Sequence, residues 1–403
     1  MTGPSGRPEQ AGGAMPNRRL RLGMVGGGRG AFIGAVHALA ARMDNRFELV
    51  AGCLSSDPAR ARASAQDWFI APDRTYDDFQ TMAQAEAARA DGIDAVAIVT
   101  PNDTHHAICR AFLDRKIDIV CDKPLTTTLD DALDLVAQVR RTGLVFVLTH
   151  TYSGFPMVRQ ARAMVAAGEL GAIRLVHVEF LQDWLAAPLE DQGDKQALWR
   201  TDPQRAGPGG CIADIGTHAL HLARYVTGLE VEAVAAQLRS FLPGRRLDDN
   251  AQLLMRLTGG AEGTLLASQV AHGNECGLRL RVYGERGGLA WDQERPNHLC
   301  WAPAGCAAQT LSRGDASLSA AARRATRLPR GLTEGYLEAF GNIYADAAGA
   351  ILSRRQGGRP DLEDIGLPGV VDGAIGIAFV EAALRSQQDR GAWVEISLAA
   401  GRI

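Results

Sequence analysis

A lysine that follows a strand-like stretch is the first candidate for chemistry in this sequence. In IDIVCDKPLTTT (117–128) the apolar run ends before Asp122, Lys123 and Pro124. Ligands of open parallel sheets bind at the carboxyl ends of the strands. Lys123 could therefore stabilise a developing oxyanion there. From the residues alone, the alternative is a surface ion pair with Asp122 or Asp118.

A second candidate is the stretch Asp214-Ile-Gly-Thr-His218. Four residues on a helix bring Asp214 and His218 to one face, where a carboxylate could orient an imidazole as a general base. His221 lies near that face, so the pattern is also compatible with a metal site. Three ligands within two helical turns would need unusual geometry, and no other cluster supplies a fourth. We therefore predict no metal.

A glycine-rich turn indicates a nucleotide. VGGGRGA (25–31) follows the first predicted strand, opens the first predicted helix and carries G-x-G-x-x-A as Gly26, Gly28 and Ala31, with Arg29 between them. Such a turn lets backbone amides approach a pyrophosphate, which then lies at the positive end of the helix. At the first strand-to-helix junction of an alternating α/β run, the pattern predicts dinucleotide binding.

The end of the second predicted strand leaves the choice between NAD and NADP open. An acid is expected there for the ribose hydroxyls of NAD, but the sequence has Ser55 and Ser56, with the acid delayed to Asp57. The serines and Arg60 could accept a 2′-phosphate, and Asp57 could serve only as a helix cap. Because Asp57 lies close by, NAD is favoured.

The stretch TPNDTHH (100–106) ends another predicted strand. Thr100, Pro101 and Asn102 are expected beside the nicotinamide half of the cofactor, since parallel strands bind ligands at that edge. His105 either contacts the cofactor or is an ordinary residue of the first helical turn.

The order of predicted strands and helices changes near residue 150. Strands and helices alternate up to residue 150, which predicts a doubly wound parallel sheet. Consecutive strands joined by tight turns follow and predict a large antiparallel sheet. We expect an α/β protein with a disordered tail (1–17), a dinucleotide-binding Rossmann domain (18–150) and an α+β domain for substrate binding and oligomerisation (151–403).

The composition narrows the possible partners. Of 403 residues, 46% are apolar and 22% charged, and the net charge of −3 gives no electrostatic basis for binding nucleic acid or an anionic membrane. No apolar run reaches the length of a membrane helix, and the N-terminus lacks the apolar segment of a signal peptide. Seven cysteines without a paired spacing favour a reducing compartment, so we expect a cytoplasmic protein.

Taken in order, the glycine turn, TPN, DKP and DIGTH resemble the glucose–fructose oxidoreductase/inositol dehydrogenase (Gfo/Idh/MocA) family over roughly residues 19–400. The resemblance implies a Rossmann domain, a C-terminal open antiparallel sheet that forms homodimers or homotetramers, and NAD(P)-dependent redox chemistry on carbohydrates or cyclitols. It also implies that Lys123–Pro124 is a cis peptide bond.

The resemblance assigns roles to individual residues. The family's E-K-P motif falls on Asp122, Lys123 and Pro124, and its D-x-x-x-H pair falls on Asp214 and His218. Asp122 replaces the usual Glu, and His221 stands where many members have Asp or Asn. The expected catalytic residues are Lys123, Asp214 and His218, and the expected substrate-binding residues are Lys123, Tyr152, Asp214, His218 and His221. The expected cofactor-binding residues are Gly26, Gly28, Arg29, Ala31, Ser55, Ser56, Asp57, Arg60, Thr100, Pro101, Asn102, His105, Asp122, Lys123, Trp199, Arg200 and Tyr336.

The sequence thus predicts an NAD(P)-dependent dehydrogenase in which His218 accepts a hydroxyl proton, Lys123 stabilises the alkoxide and Asp214 holds His218. Two alternatives remain at this point. One is an NAD-dependent glycoside hydrolase acting by transient oxidation at C3, with the loop at 182–203 shaping an aglycone subsite. The other is a non-catalytic cofactor-binding regulator. Further polar candidates for substrate contact are Tyr152, Arg159, Asp183, Trp184 and Asn250.

Overall fold

The computed structural model describes residues 18–398. The predicted tail, 1–17, lies outside the described residues. The N-terminal sheet has five parallel strands in the order β2-β1-β3-β4-β5, which confirms the doubly wound sheet. They are β1 (Leu20–Gly26), β2 (Phe47–Cys53), β3 (Ala95–Val99), β4 (Asp118–Cys121) and β5 (Phe146–Leu148). The strand order reverses between β1 and β3, and a crevice at their carboxyl ends follows from that reversal.

Helices cover this sheet: α1 (Phe32–Met43), α2 (Pro58–Asp67), α3 (Phe79–Ala88), α4 (His105–Leu113) and α5 (Leu129–Thr142). The helix α3 was not predicted from the sequence. Asp78 caps it by accepting a hydrogen bond from the Thr81 amide at 2.7 Å. The sequence did contain a signal for this helix, because aspartate is a preferred N-cap residue and Asp78 precedes an alanine-rich run.

The C-terminal sheet has nine strands in the order β13-β12-β11-β10-β6-β9-β8-β7-β14. The strand β6 pairs in parallel with β9, and the remaining neighbours pair antiparallel, so the sheet is mixed but mostly antiparallel. The strands are β6 (Ile173–Leu181), β7 (Val231–Arg239), β8 (Asn250–Leu257), β9 (Glu262–Ser268), β10 (Gly277–Gly284), β11 (Gly287–Asp292), β12 (His298–Pro303), β13 (Gln309–Ser312) and β14 (Val394–Glu395).

One face of this sheet packs against helices, and the apolar side chains of its strands alternate inward towards them. The helices of this half are α6 (Pro156–Ala166), α7 (Lys195–Arg200), α8 (Pro203–Ala206), α9 (Thr217–Thr227), α10 (Ala320–Arg324), α11 (Tyr336–Arg355), α12 (Leu362–Ile365) and α13 (Val370–Gln388). A π-helical turn, Ile212–Gly216, precedes α9. In the described part of the chain, no helix is long and apolar enough to cross a membrane.

Two late helices return to the N-terminal sheet. Phe340 and Tyr344 of α11 share a buried core with Val36 and Phe47 of the first βαβ unit. Beside α13, the Leu148 amide donates to the Pro368 carbonyl at 2.9 Å. The chain therefore crosses the boundary predicted near residue 150 a second time, and the two halves share side chains around the cleft between them.

Candidate active site

Lys123 lies at the carboxyl end of β4, and the Lys123–Pro124 bond is cis, as the resemblance implied. Its Nζ donates to the backbone carbonyl of Asp214 at 2.6 Å and to the Asp214 carboxylate at 2.8 Å. The two side chains are largely buried, 14% and 21% exposed. The structure therefore joins the DKP segment and the DIGTH segment, which are 91 residues apart in the sequence.

Asp122 faces its own loop and not the lysine ammonium. One carboxylate oxygen accepts from the Lys123 backbone amide at 3.0 Å and from the Thr149 hydroxyl at 2.7 Å. Burial opposes ionisation, but His37, Lys123 and Thr149 stabilise the anion and lower the pKa of Asp122 to about 2. Asp122 is thus an anion that holds the backbone of Lys123.

Asp214 has further partners. Its second carboxylate oxygen accepts from the Gln269 amide at 2.8 Å and lies 3.5 Å from Nε of Arg200. Although burial opposes ionisation, the charges of Lys123 and Arg200 hold the pKa of Asp214 well below its usual range. Asp214 is therefore ionised across the physiological range and balances the lysine charge.

The predicted Asp214–His218 pair is wrong in its contacts: the carboxylate binds Lys123 and Gln269 instead of the imidazole. The reason is the π-helical turn at Ile212–Gly216, which shifts the phase of side chains relative to an α-helix. Asp248 fixes this turn by accepting from the amides of Gly210 and Ile212 at 2.6 and 2.8 Å. Asp214 and His218 are four residues apart, but they therefore do not make the contact expected in a regular α-helix.

His218 lies in an aromatic corner. Its ring meets Tyr152 edge-on with centroids 4.9 Å apart and lies 5.4 Å from the ring of His150. Its Nδ1 is buried and has no hydrogen-bond partner within residues 18–398. Burial, together with the charge of Lys123, places the pKa of His218 well below its usual value. His218 is therefore a neutral imidazole at neutral pH.

Two other candidates lie behind this corner. His221 is 5% exposed and stacks on His150 with centroids 4.1 Å apart. Arg159 is 3% exposed and pairs with Asp346 at 2.7 Å. That these two side chains bind substrate stays a prediction.

The glycine turn fits a pyrophosphate. Gly26 has φ +81°, which a glycine adopts without strain, and the Gly28 amide donates to the Leu54 carbonyl at 3.1 Å. A Cβ on Gly34 would overlap the backbone of Gly27, so α1 packs directly on the turn. Ala31 cannot cap α1, and the first turn of the helix carries no acidic side chain. The first amides of a 12-residue helix are therefore left for an anion.

The adenosine end is less specific. The Asp57 carboxylate caps α2, accepting from the Arg60 amide at 3.0 Å, and the Ser55 hydroxyl accepts from the Asp57 amide at 3.1 Å. Ser56, Asp57 and Arg60 are exposed. At the other side of the turn, Arg29 pairs with Asp67 at 2.6 Å. The acid after β2 is therefore used as a cap, which leaves NAD and NADP undistinguished by geometry.

The TPN segment lies beside DKP, since β3 and β4 are neighbours. Asn102 donates to the Ala206 carbonyl at 3.2 Å and so links this loop to the C-terminal half. Thr100 and Pro101 remain at the sheet edge. The His105 side chain is fully buried, and each of its ring nitrogens lies against a backbone carbonyl. Of the two alternatives, the one in which His105 contacts the cofactor is therefore wrong.

The cleft is walled by aromatic groups from the C-terminal half. Arg200 stacks over Trp199 at 4.2 Å and lies 5.8 Å from the ring centroid of Trp184. Asn102, Trp199, Arg200, Asp214 and Gln269 line one small cavity. Across the site, the Tyr336 ring lies 6.3 Å from that of Tyr152. Arg200 thus lies beside Asp214, the partner of Lys123, and Tyr336 lies beside Tyr152, which packs on His218.

Sequence reasoning missed several residues that shape this site. They come from positions without a motif of their own and include Gly34, His37, Thr149, Asp248, Gln269 and Tyr344. Only Gly34 carried a sequence signal, because helix-to-turn packing in dinucleotide folds calls for a small residue in that region.

Known proteins share this arrangement. The NAD-binding Rossmann fold of an oxidoreductase family matches residues 20–150, and the GFO/IDH/MocA C-terminal domain matches residues 158–290. An uncharacterised oxidoreductase of Bacillus subtilis, YfiI, is 33% identical over 385 residues, covering 94% of this chain and 97% of the relative. The chain belongs to the Gfo/Idh/MocA family.

Several relatives are named for a sugar derivative or a cyclitol. An inositol dehydrogenase homologue from Azotobacter vinelandii, solved with NAD+, superposes with a TM-score of 0.90 at 38% identity, over 94% of this chain and 98% of that one. The same protein has been solved with NADH and myo-inositol. Levoglucosan dehydrogenase of Pseudarthrobacter phenanthrenivorans is 28% identical over 70% of this chain and 76% of its own length. The Gfo/Idh/MocA chain described here is accordingly an NAD-binding oxidoreductase.

Proposed function

We propose that this protein is an NAD(P)-dependent dehydrogenase that transfers hydride between a secondary alcohol of a sugar, cyclitol or sugar derivative and the nicotinamide, with NAD favoured. The observation that carries the proposal is the bond from Lys123 to Asp214 at the carboxyl edge of the parallel sheet, beside a neutral His218. An ammonium has three donors, and Asp214 takes two of them. The third is left for a substrate oxygen.

A bound nicotinamide supplies the hydride acceptor. The protein's own groups act on the hydroxyl: Lys123 donates to its oxygen and stabilises the negative charge that develops as the C–H bond breaks. His218 is neutral and takes the hydroxyl proton. Asp214 serves by fixing and charge-balancing the lysine, a role that replaces the one expected from the sequence.

The walls of the cleft suit a neutral polyol. Lys123 and Arg200 both lie against the Asp214 carboxylate, at 2.8 and 3.5 Å, so neither cation requires an anionic substrate as its partner. Aromatic rings can pack on the C–H face of a carbohydrate while the polar groups bind its hydroxyls. The named relatives support this class, since two of them carry inositol or levoglucosan in their names.

A substrate screen tests the proposal. The full chain is mixed with myo-inositol, scyllo-inositol, levoglucosan and free aldoses, with NAD+ and NADP+ in separate reactions, and reduced cofactor is followed by absorbance. We expect reduced cofactor to accumulate with one class of ring alcohol, faster with NAD+. Release of an aglycone from aryl glycosides without reduced cofactor would instead identify a hydrolase, and tight NAD+ binding without any turnover would identify a regulator.

A further inference from the structure

His105, the first residue of α4, has two backbone carbonyls on its ring. Its Nδ1 lies 2.9 Å from the Pro124 oxygen and its Nε2 lies 2.9 Å from the Thr100 oxygen. The side chain is fully buried. Each carbonyl belongs to a different loop of the cleft, since Thr100 opens TPN and Pro124 closes DKP.

The chemistry of these contacts fixes the protonation state. A carbonyl oxygen only accepts hydrogen bonds, and a neutral imidazole has one N–H and one lone pair. A neutral His105 would therefore turn a lone pair towards one of the two carbonyls inside the protein, where an unmade hydrogen bond is costly. The imidazolium donates to both.

The surroundings favour the cation. Cys121, the last residue of β4, and Asp122 directly after it both act electrostatically on the ring, and Cys109 of the same helix lies next to Cys121, with 3.9 Å between the sulfur atoms. Burial alone would lower the pKa of His105, but Cys121, Asp122 and the Thr100 carbonyl raise it to about 9. The buried Asp122 anion supplies the compensating charge.

We propose that His105 is an imidazolium at neutral pH that ties the TPN loop to the DKP loop and thereby positions Lys123. The DKP loop is held on both sides of Lys123. Before the lysine, the Asp122 amide donates to the Ile98 carbonyl and the Asp122 carboxylate accepts from the Thr149 hydroxyl. After the lysine, the Pro124 carbonyl accepts from His105, which connects this side of the loop to the TPN loop.

The protonation state is tested on the unmodified protein, whether or not the proposed reaction is correct. Neutron diffraction from a crystal grown near neutral pH, or ¹⁵N spectra of histidine-labelled protein with His105→Gln for assignment, reports the hydrogens on the ring. We expect a hydrogen on each ring nitrogen. A single hydrogen at neutral pH overturns the proposal, and this readout remains available if His105→Gln fails to fold.

The positioning role rests on the proposed function and is tested with a matched pair. His105→Gln leaves a neutral side chain with one donor nitrogen, while His106→Gln changes the adjacent histidine, which pairs with Asp134 at the surface. Because misplacing a reacting group by about 1 Å costs up to about 100-fold, we expect His105→Gln to lower kcat by about 10- to 100-fold and His106→Gln to leave it within about twofold. Dissociation constants for the cofactor, measured by protein fluorescence, should change far less than kcat. A folded His105→Gln variant with unchanged kcat in an active enzyme overturns the role.

If the screen finds no substrate, the proposed function is contradicted. The hydrogens observed on the ring still show whether His105 is charged.

Discussion

Lys123 and Asp214 are joined twice, through the carboxylate and through the backbone carbonyl of the aspartate. The carboxylate balances the charge of Nζ. The backbone carbonyl fixes the position of Nζ, because it does not move when the aspartate side chain rotates. Two of the three ammonium hydrogens are used, and the direction of the third is set by the other two. The lysine is thus oriented by the C-terminal half while its backbone is held by the N-terminal sheet.

Replacing Lys123 by Met should abolish most turnover and spare the cofactor. Removal of one donor to a developing oxyanion costs about 100- to 1,000-fold in kcat, whereas the glycine turn is untouched. The measurements are steady-state rates with the best substrate of the screen and NAD+ titrations followed by fluorescence. Lys116→Met, at an exposed lysine, is the control and should behave as the unmodified protein. Turnover near the unmodified level in Lys123→Met contradicts the assignment.

The partner of Asp214 can be identified from stability. Unfolding by urea of the single and double variants at Lys123 and Asp214 (Met and Asn) should give a coupling free energy of about 1–3 kcal/mol, as expected for residues in contact. The same cycle with Asp214→Asn and His218→Asn should give a smaller coupling free energy, because the carboxylate bonds to Lys123 and Gln269 and not to the imidazole. Strong coupling in the second cycle and none in the first would favour the pairing expected from the sequence.

Much of this fold was readable from the sequence. The N-terminal alternation of apolar runs and amphipathic segments fixes a parallel sheet, and Gly26 and Lys123 lie at strand ends because ligand-binding turns follow strands in such sheets. These features depend on local pattern alone. The cis Lys123–Pro124 bond was implied by the resemblance and is present.

The side-chain contacts within the site could not be predicted from the local sequence pattern. The phase of the helix that bears Asp214 depends on a π-helical turn, which is held by Asp248 from a loop 34 residues later in the numbering. Gln269, just beyond the end of β9, meets Asp214 because the π-helical turn packs against that strand. Tertiary placement, rather than spacing, decides such partners, and α11 joins the first core for the same reason.

A methyl group on Gly34 should disrupt the cofactor site. The added Cβ would overlap the Gly27 backbone, so the turn and α1 must separate, at a cost of about 1–3 kcal/mol for an overpacked position. Each loss of about 1.4 kcal/mol in binding weakens NAD+ about tenfold. We therefore expect Gly34→Ala to raise the dissociation constant for NAD+ by about tenfold or more, measured by calorimetry.

The matched control is Gly349→Ala in α11, where a Cβ meets open space and the free energy of unfolding should rise by about 0.5–1 kcal/mol. Equal NAD+ affinity in Gly34→Ala and the control contradicts the close approach.

The stacked histidines should make the fold sensitive to acid. Burial lowers the pKa of His150, His218 and His221 well below the ordinary value, so below about pH 6.5 the unfolded chain binds protons that the folded chain excludes. Stability is therefore unaffected by these groups above about pH 6.5 and falls as the pH drops below it. His105 has the opposite sign: its pKa of about 9 adds stability below about pH 6.5 that is lost as the pH rises through about 9.

Replacing His221 by Phe keeps a ring on His150 and removes one of these titrating groups. Between about pH 6.5 and 5 the slope of the unfolding free energy should become shallower, by an amount that approaches about 1.4 kcal/mol per pH unit, the value for one proton, at the acid end. Urea titrations at several pH values measure the slope. His272→Gln, at an exposed histidine, is the control for the loss of a histidine at the surface. Parallel curves for His221→Phe and the unmodified protein would mean that His221 is protonated equally in the folded and unfolded states, which its burial against His150 and the neighbouring Arg224 and Arg162 opposes.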